Sequence, residues 1–361
     1  MRKLATVRQV SNIRPIEGKD LIVQVNIDGW NVIVKKDEFQ EGDLCVYVEI
    51  DSQLPAKPEF EFLAKKNYII KTMKMAGVRS EGIVFPLSIL PKPKKAKLGD
   101  DVTKALGIKQ YNKEEEVETT FIEKIVDAID TRLRKFAWYR KLTIKSKRTL
   151  KKASSFPYWI RKTDEERIQN KKYVLDSDAM WIATEKLDGS SATFGYRKTK
   201  EGEEYVVCSR NRLITEDSVW TTISKQYEME KKLKFLFEWL HAKESIVVQG
   251  EIIAPNIQGN KYKVENPYFY AFNLIIDGVS IDILSAMDYF EQLRLETVPY
   301  LHNISLQGKT VDGILDLATF QSEINPDTLA EGLVFRTFDR EGKLVDSFKA
   351  VSPRFLILHK E

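Results

Sequence analysis

Lys186-Leu187-Asp188-Gly189 closes the apolar run Trp181-Ile182-Ala183-Thr184, and a lysine, an acid and a glycine in that order have a definite chemistry to offer. A lysine amine is protonated at neutral pH, with a reference pKa of about 10.4, and becomes a nucleophile only where its surroundings disfavour the ammonium. Asp188 projects to the same side of an extended chain as Lys186 and can hold a divalent cation through water. Gly189 lets a phosphate approach the backbone closely. Such a tetrapeptide arises by chance in about one chain in ten of this length, so its weight comes from the groups downstream of it. Ser209-Arg210-Asn211 ends the run Tyr205–Cys208, where Arg210 can donate to a ribose hydroxyl or a phosphate. Gly250-Glu251 closes Ile246–Gln249 and supplies a carboxylate able to accept from a ribose hydroxyl. Phe272 lies in Tyr268-Phe269-Tyr270-Ala271-Phe272 and offers a face to a purine, although an aromatic run alone is more often core. Glu331-Gly332-Leu333-Val334-Phe335 and Ser347-Phe348-Lys349-Ala350-Val351 add one more acid and one more amine.

These groups fall at the ends of β-like runs, and the rest of the chain must hold those runs. From Trp181 onward strands dominate, interrupted by helical periodicity over Ile223–His241 and Ile281–Leu293, which predicts a mixed α and β domain. Upstream, short runs at Leu4–Val10, Leu21–Ile27, Trp30–Val34 and Leu44–Ile50, with Asp28-Gly29 as a hairpin signal, predict a small barrel. Prolines and lysines over residues 86–97 mark the way out of it. Phe121, Ile125, Ile129 and Leu133 repeat every four residues and predict a bridging helix. Glu81-Gly82-Ile83-Val84-Phe85 nearly duplicates Glu331–Phe335; only the later copy follows Lys186 and precedes a run ending in lysine.

With 361 residues, 43% hydrophobic and 30% charged, the chain is long enough for two ordinary cores, and disorder is excluded. The net charge of +4 conceals one basic segment: residues 131–152 carry ten Lys or Arg and no acid, leaving −6 for the remainder. Phe136, Trp138 and Tyr139 are interleaved there, a composition that suits nucleic acid as well as it suits a solvated helix and linker. Two cysteines and no secretory leader pattern make an intracellular, cytoplasmic setting the default, and no run is long enough to span a bilayer. Neither a G-x-G-x-x-G nor a P-loop pattern occurs, and three scattered histidines do not form a zinc site.

In chain order, Lys186-Leu187-Asp188-Gly189, Ser209-Arg210-Asn211, Gly250-Glu251, Ala271-Phe272, Glu331-Gly332 and Phe348-Lys349 resemble motifs I, Ia, III, IIIa, IV and V of the covalent nucleotidyltransferase superfamily. The resemblance spans residues 160–355. Ile257-Gln258-Gly259-Asn260-Lys261-Tyr262 and the stretch from Lys162 to Asn170 look like the ATP-dependent RNA ligases that carry an N-terminal OB-type module and no domain after motif V. That resemblance implies an α+β chain: an OB-like β-barrel over residues 1–107, a helical and basic linker over 108–160, and an ATP-grasp-like adenylyltransferase domain on antiparallel sheets over 161–361.

It also implies a three-step reaction that uses ATP and Mg²⁺ or Mn²⁺. Lys186 takes AMP from ATP, the AMP passes to an RNA 5′-phosphate, and a 3′-hydroxyl displaces it to seal the strand. Lys349 is implied at the α-phosphate, Arg210 at the ribose or α-phosphate, Glu251 at the ribose or the metal, and Phe272 on the adenine. Asp188 and Glu331 are implied around the metal's water shell, Asp20 at a second metal, and the backbone of Glu185 at the adenine edge. The family often shows Lys-x-Lys in motif V; Ser347 replaces the first lysine here, and Arg167 or the first domain is the expected source of the second phosphate contact. The implied partner is RNA, as a nicked duplex or free ends, with a DNA template strand as a variant. The protein is expected to be a monomer that needs no membrane. The alternatives are a DNA ligase, a capping-type guanylyltransferase, or a non-catalytic binder of nucleic-acid ends.

Overall fold

The computed structural model describes residues 3–75, 77–111 and 155–359. The expected helix at Phe121–Leu133 and the basic segment 131–152 lie outside them. The described residues gather into two compact units: residues 3–111 with 310–315 and 352–359 in one, and 155–309 with 316–351 in the other.

The first unit is built on short antiparallel strands: β1 (Ala5–Gln9), β2 (Ser11–Ile16), β3 (Lys19–Ile27), β4 (Trp30–Lys35), β5 (Leu44–Val48) and β6 (Ile83–Pro86). Strands β1, β5 and β6 form one sheet and β2, β3 and β4 another, giving the OB-like barrel the sequence implied. The Asp28-Gly29 turn has φ of 51° and 91°, the double left-handed geometry that joins two strands of natural twist. Strand β2 is hidden in the sequence because Arg14-Pro15 interrupts its alternation, and its pairing with β3 is irregular. Val25, Ile27, Trp30, Val46, Tyr47 and Val48 are fully buried, each such side chain contributing roughly 1.5–3 kcal/mol.

The second unit carries two antiparallel sheets. One is four-stranded, in the order β12–β7–β13–β14, from β7 (Met180–Lys186), β12 (Tyr300–Ser305), β13 (Gly332–Phe338) and β14 (Leu344–Val351). The other is six-stranded and led by β8 (Ser190–Thr199), β9 (Gly202–Ser209), β10 (Ser245–Ile253) and β11 (Tyr268–Ile276) in the order β9–β8–β10–β11. Three helices, α1 (Val219–Gln226), α2 (Met229–Trp239) and α3 (Ile283–Gln292), supply the apolar partners of this second sheet. Phe194, Tyr196, Val248, Phe269 and Leu274 from the strands bury against Ile223, Leu233, Leu236 and Phe290 from the helices. The periodicity over Ile223–His241 is thus two helices, broken where Glu228 adopts a left-handed φ of 48°. Helix α3 begins where the Asp282 carboxylate accepts from the Ser285 N–H at 2.9 Å. Cys45 and Cys208 are both buried, and burial pushes each thiol up to about 12, well out of the reactive range. Among the described residues no helix is long and apolar enough to cross a membrane.

Candidate active site

Lys186 is the last residue of β7, and the three residues Leu187-Asp188-Gly189 carry the chain from the four-stranded sheet to the six-stranded one. Register places Thr184 and Lys186 on the same face as Val334 and Arg336 of β13 and Ser347 and Lys349 of β14. The opposite face packs Trp181, Phe335 and Phe348 as an aromatic core, with Phe335 and Phe348 stacked at 4.8 Å. One strand end therefore has an anchored side and a side open to chemistry.

Two glycines make the crossing possible. A Cβ on Gly189 would lie 2.3 Å from the Ile252 carbonyl and 2.9 Å from Glu251 Cγ, so the turn sits directly on the strand that carries Glu251. A Cβ on Gly332 would lie 2.1 Å from the Ala350 carbonyl, so only glycine lets β13 begin this close to β14 beside Glu331.

The Lys186 ammonium forms an ion pair with the Glu331 carboxylate, both side chains largely buried. Burial alone would lower this amine; the carboxylates of Glu331, Glu251 and Asp188 outweigh it and hold the group above the ordinary lysine range. Before nucleotide binds, Lys186 is a stabilised cation. Asp188 pairs with the Lys261 ammonium, at side-chain exposures of 7% and 10%, and its N–H donates to the Tyr262 hydroxyl at 2.9 Å. Lys261 belongs to the family-like stretch Ile257–Tyr262, yet the sequence assigns it no role, since a lysine in a turn-rich loop carries no signal until its carboxylate partner is known.

The remaining candidate residues are placed as follows. Phe272 is the extra residue of a β-bulge: Ala271 opposes Gly250 and Asn273 opposes Gln249, so Phe272 has no partner of its own in the ladder. The Arg336 guanidinium lies 5.5 Å from its ring centroid and 3.4 Å from the Glu165 carboxylate. Arg210 pairs with Asp164 in the segment that precedes β7, where it is about one-third exposed. The Lys349 N–H donates to the Glu166 carbonyl at 2.7 Å, and the buried Arg167 bridges to Lys349, so this segment runs along the edge of β14. The Glu185 N–H donates to the Pro299 carbonyl at 2.9 Å, which commits that half of its peptide. Its side chain points to the other face and accepts from Ser322 Oγ and, at 2.9 Å, from the Glu323 N–H, and burial raises its carboxyl despite both bonds. Asp20 is an exposed residue of β3 in the first unit.

The earlier copy of the acid–glycine pattern obeys the same backbone logic without the chemistry. Gly82, at φ 96°, would bring a Cβ to 2.6 Å from the Val48 carbonyl, and the buried Glu81 pairs with Arg79 at 3.0 Å.

Among the described residues no three carboxylate, histidine or cysteine side chains lie close enough to hold an ion directly. Asp188, Glu251 and Glu331 nevertheless surround the Lys186 ammonium with unlike charge, and such a set fits a divalent cation gripped through its water shell.

Comparison with known proteins finds a family for each of two domains. An OB-fold domain model matches residues 4–87, and the RNA ligase model matches residues 179–351. Residues 179–351 are an RNA ligase family domain. The ligase resemblance extends over the whole fold. The Naegleria gruberi RNA ligase with PPi superposes with a TM-score of 0.79 at 29% identity, covering 100% of this chain and 99% of that one. A point mutant of the same ligase with ATP and Mn gives 0.78 at 29%, covering all of both chains. Another, with AMP and Mn, gives 0.78 at 28%, covering 99% of each. No curated protein sequence matches the chain.

Proposed function

We propose that the chain is an ATP-dependent RNA ligase that joins 3′-hydroxyl and 5′-phosphate ends through a lysyl-AMP on Lys186. The observation that carries this reading is the convergence of Glu331, Glu251 and Asp188 on one lysine at the junction of two sheets, within an RNA ligase family domain.

The geometry supports a division of labour. Phosphoryl displacement needs alignment and charge neutralisation more than proton transfer, and the pocket is rich in charge and poor in acid–base groups. Lys186 lies at a strand end anchored by Trp181, Phe335 and Phe348, which fixes the direction from which its amine reaches an α-phosphorus. Lys349, on the same face, is placed to neutralise the α-phosphate. Phe272, freed from the ladder by its bulge, is the proposed face for the nucleobase, and Glu251, beside Gly189, is the proposed partner of a ribose hydroxyl. Arg210 reaches the ribose or α-phosphate once Asp164 releases it. A bound Mg²⁺ or Mn²⁺ would draw the carboxylates away from the ammonium and supply the positive field that favours a neutral amine.

Duplex nicks in RNA are the proposed substrate, with free ends and DNA-templated nicks as the variants to compare. Incubation with α-labelled ATP and metal leaves covalent label on the protein that survives alkali and is lost in acid, as a phosphoramidate requires, and Lys186→Ala abolishes it; equal labelling of that variant refutes the assignment. Labelling by GTP in place of ATP points to a capping-type reaction. Nicks that differ only in the 2′-hydroxyl of the 3′-terminal sugar separate RNA from DNA sealing.

A further inference from the structure

The loop that comes after Glu251 is the most heavily braced irregular segment next to the nucleophile. Gln258, Asn260 and Lys263 have left-handed backbones, with φ of 48°, 50° and 56°. Such geometry is unfavourable at a non-glycine residue and persists only when its surroundings over-determine it. Here they do. The Asn260 side chain both donates to and accepts from the Val264 backbone at 2.9 Å. The Thr328 hydroxyl donates to the Lys261 carbonyl at 2.7 Å, and the Asn325 amide donates to the Tyr262 carbonyl at 3.0 Å. The loop delivers two groups to the Lys186-to-Gly189 turn: the Tyr262 hydroxyl, which accepts from the Asp188 N–H, and the Lys261 ammonium, on the Asp188 carboxylate.

A lysine at 10% exposure is an expensive way to hold one carboxylate in place. Its presence becomes intelligible from the charge of the reaction. A triphosphate enters a pocket that already holds three carboxylates, and Lys186 must give up its own charge in order to attack. Lys349 and Arg210 answer to the α-phosphate and the ribose, which leaves the β- and γ-phosphates without an assigned cation, and a lysine's flexible four-carbon stem can carry an ammonium from a carboxylate to a nearby phosphoryl oxygen.

We propose that Lys261 is a triphosphate-binding residue of this ligase: its ammonium, held on Asp188 before ATP binds, transfers to the β- and γ-phosphoryl oxygens of bound ATP and neutralises the departing pyrophosphate. In that step the Lys186 ammonium gives up two of its three protons to solvent as its nitrogen forms a bond to the α-phosphorus. The bond between the α-phosphorus and the bridging oxygen breaks, and pyrophosphate leaves with the electron pair. Lys261 makes and breaks no covalent bond. The inference rests on the ligase reading, and its test separates the two.

The test compares two steps in Lys261→Ala and Lys261→Arg with the wild type. Self-adenylylation by α-labelled ATP uses the β- and γ-phosphates. Sealing of a nicked duplex whose 5′ end is already adenylylated, without ATP, does not. Lys261→Ala is expected to slow adenylylation ten- to a hundred-fold with a raised KM for ATP, the scale of one lost charge-assisted contact, while sealing of the adenylylated nick stays within about threefold. Retained sealing also shows that the variant is folded. Lys261→Arg is expected to keep at least about a third of the wild-type adenylylation rate, because the phosphate contact needs a cation and not a lysine. Equal loss of both steps makes Lys261 a support for Asp188 alone and overturns the proposal, as does unchanged adenylylation or an arginine variant as impaired as alanine. Failure of the wild-type protein to adenylylate itself would instead overturn the ligase reading.

Discussion

The ion pair between Lys186 and Glu331 sets up a competition that can be measured without any turnover. A divalent cation that draws on Glu331, Glu251 and Asp188 has to displace an ammonium already held there. At hydrogen-bonding contact, about 3 Å, two unit charges attract by about 5 kcal/mol at an effective dielectric of about 20. The Lys186 side chain is 23% exposed and that of Glu331 12%, and desolvation offsets part of the attraction. Halving the figure leaves roughly 2–3 kcal/mol, or a factor of about 30 to 150 in affinity, since about 1.4 kcal/mol is tenfold. Lys186→Met removes the competitor and keeps the stem's apolar contacts. In metal-free buffer the variant should be less stable than the wild type, because the largely buried Glu331 carboxylate loses its ammonium partner while Glu251 and Asp188 remain nearby. In a Mn²⁺ titration followed by thermal unfolding, its apparent affinity for the ion should rise by that factor, and Mn²⁺ should raise its melting temperature more than that of the wild type. Equal titration midpoints for the two proteins would refute the reasoning, since they would mean that the ammonium and the metal do not share the carboxylates.

Other residues carry three further expectations. Gly332→Ala should destabilise the second unit by about 1–3 kcal/mol, because its Cβ would meet the Ala350 carbonyl at 2.1 Å and the backbone there has nowhere to retreat; urea unfolding measures this. Arg210→Ala should change stability by less than about 1 kcal/mol, since its pair with Asp164 is partly solvated, yet it should slow self-adenylylation at least tenfold; unfolding and labelling assays on one preparation separate the two effects. Glu185 has a folded-state pKa raised first by burial, so its contribution favours the fold at low pH and is lost as pH climbs above about 4.5. Glu185→Gln should therefore gain stability over the wild type at pH 7 but not at pH 4, as thermal unfolding at the two pH values would show.

Much of the site was legible because its residues lie in or beside strands marked by apolar runs, although only Lys186 ends its strand; Glu251, Phe272 and Lys349 were expected at the ends of runs and lie inside longer strands. Lys186 comes after Trp181–Thr184 and ends its strand, whereas Glu251 comes after Ile246–Gln249 within a strand that runs on to Ile253; in both cases the apolar run marks the buried strand that holds the side chain. The barrel was legible through Asp28-Gly29, whose turn geometry has few alternatives. Partnership was not legible. Nothing local to Lys261 says that it will meet Asp188, 73 residues away, or that Asp164 will clasp Arg210 across 46 residues. The division of Ile223–His241 into two helices was also hidden, because α1 and α2 turn their apolar stripes to the same sheet and the break at Glu228 leaves the spacing of Ile223, Leu233 and Leu236 nearly intact. Glu81-Gly82 shows the limit from the other side. Five residues specify how a strand starts against its neighbour, and only the surroundings decide whether the acid at its head meets Arg79 or Lys186.

The bulge on β11 separates two duties that a regular strand would bind together. In an unbroken ladder, changing the side chain at position 272 would disturb a cross-strand pair and, through it, the apolar layer behind. Here Ala271 and Leu274 stay locked to the helical layer through their pairing with β10, while position 272 stands outside that count. On the proposed reading, in which Phe272 meets the nucleobase, a change at that one residue alters base preference while the strand keeps its register.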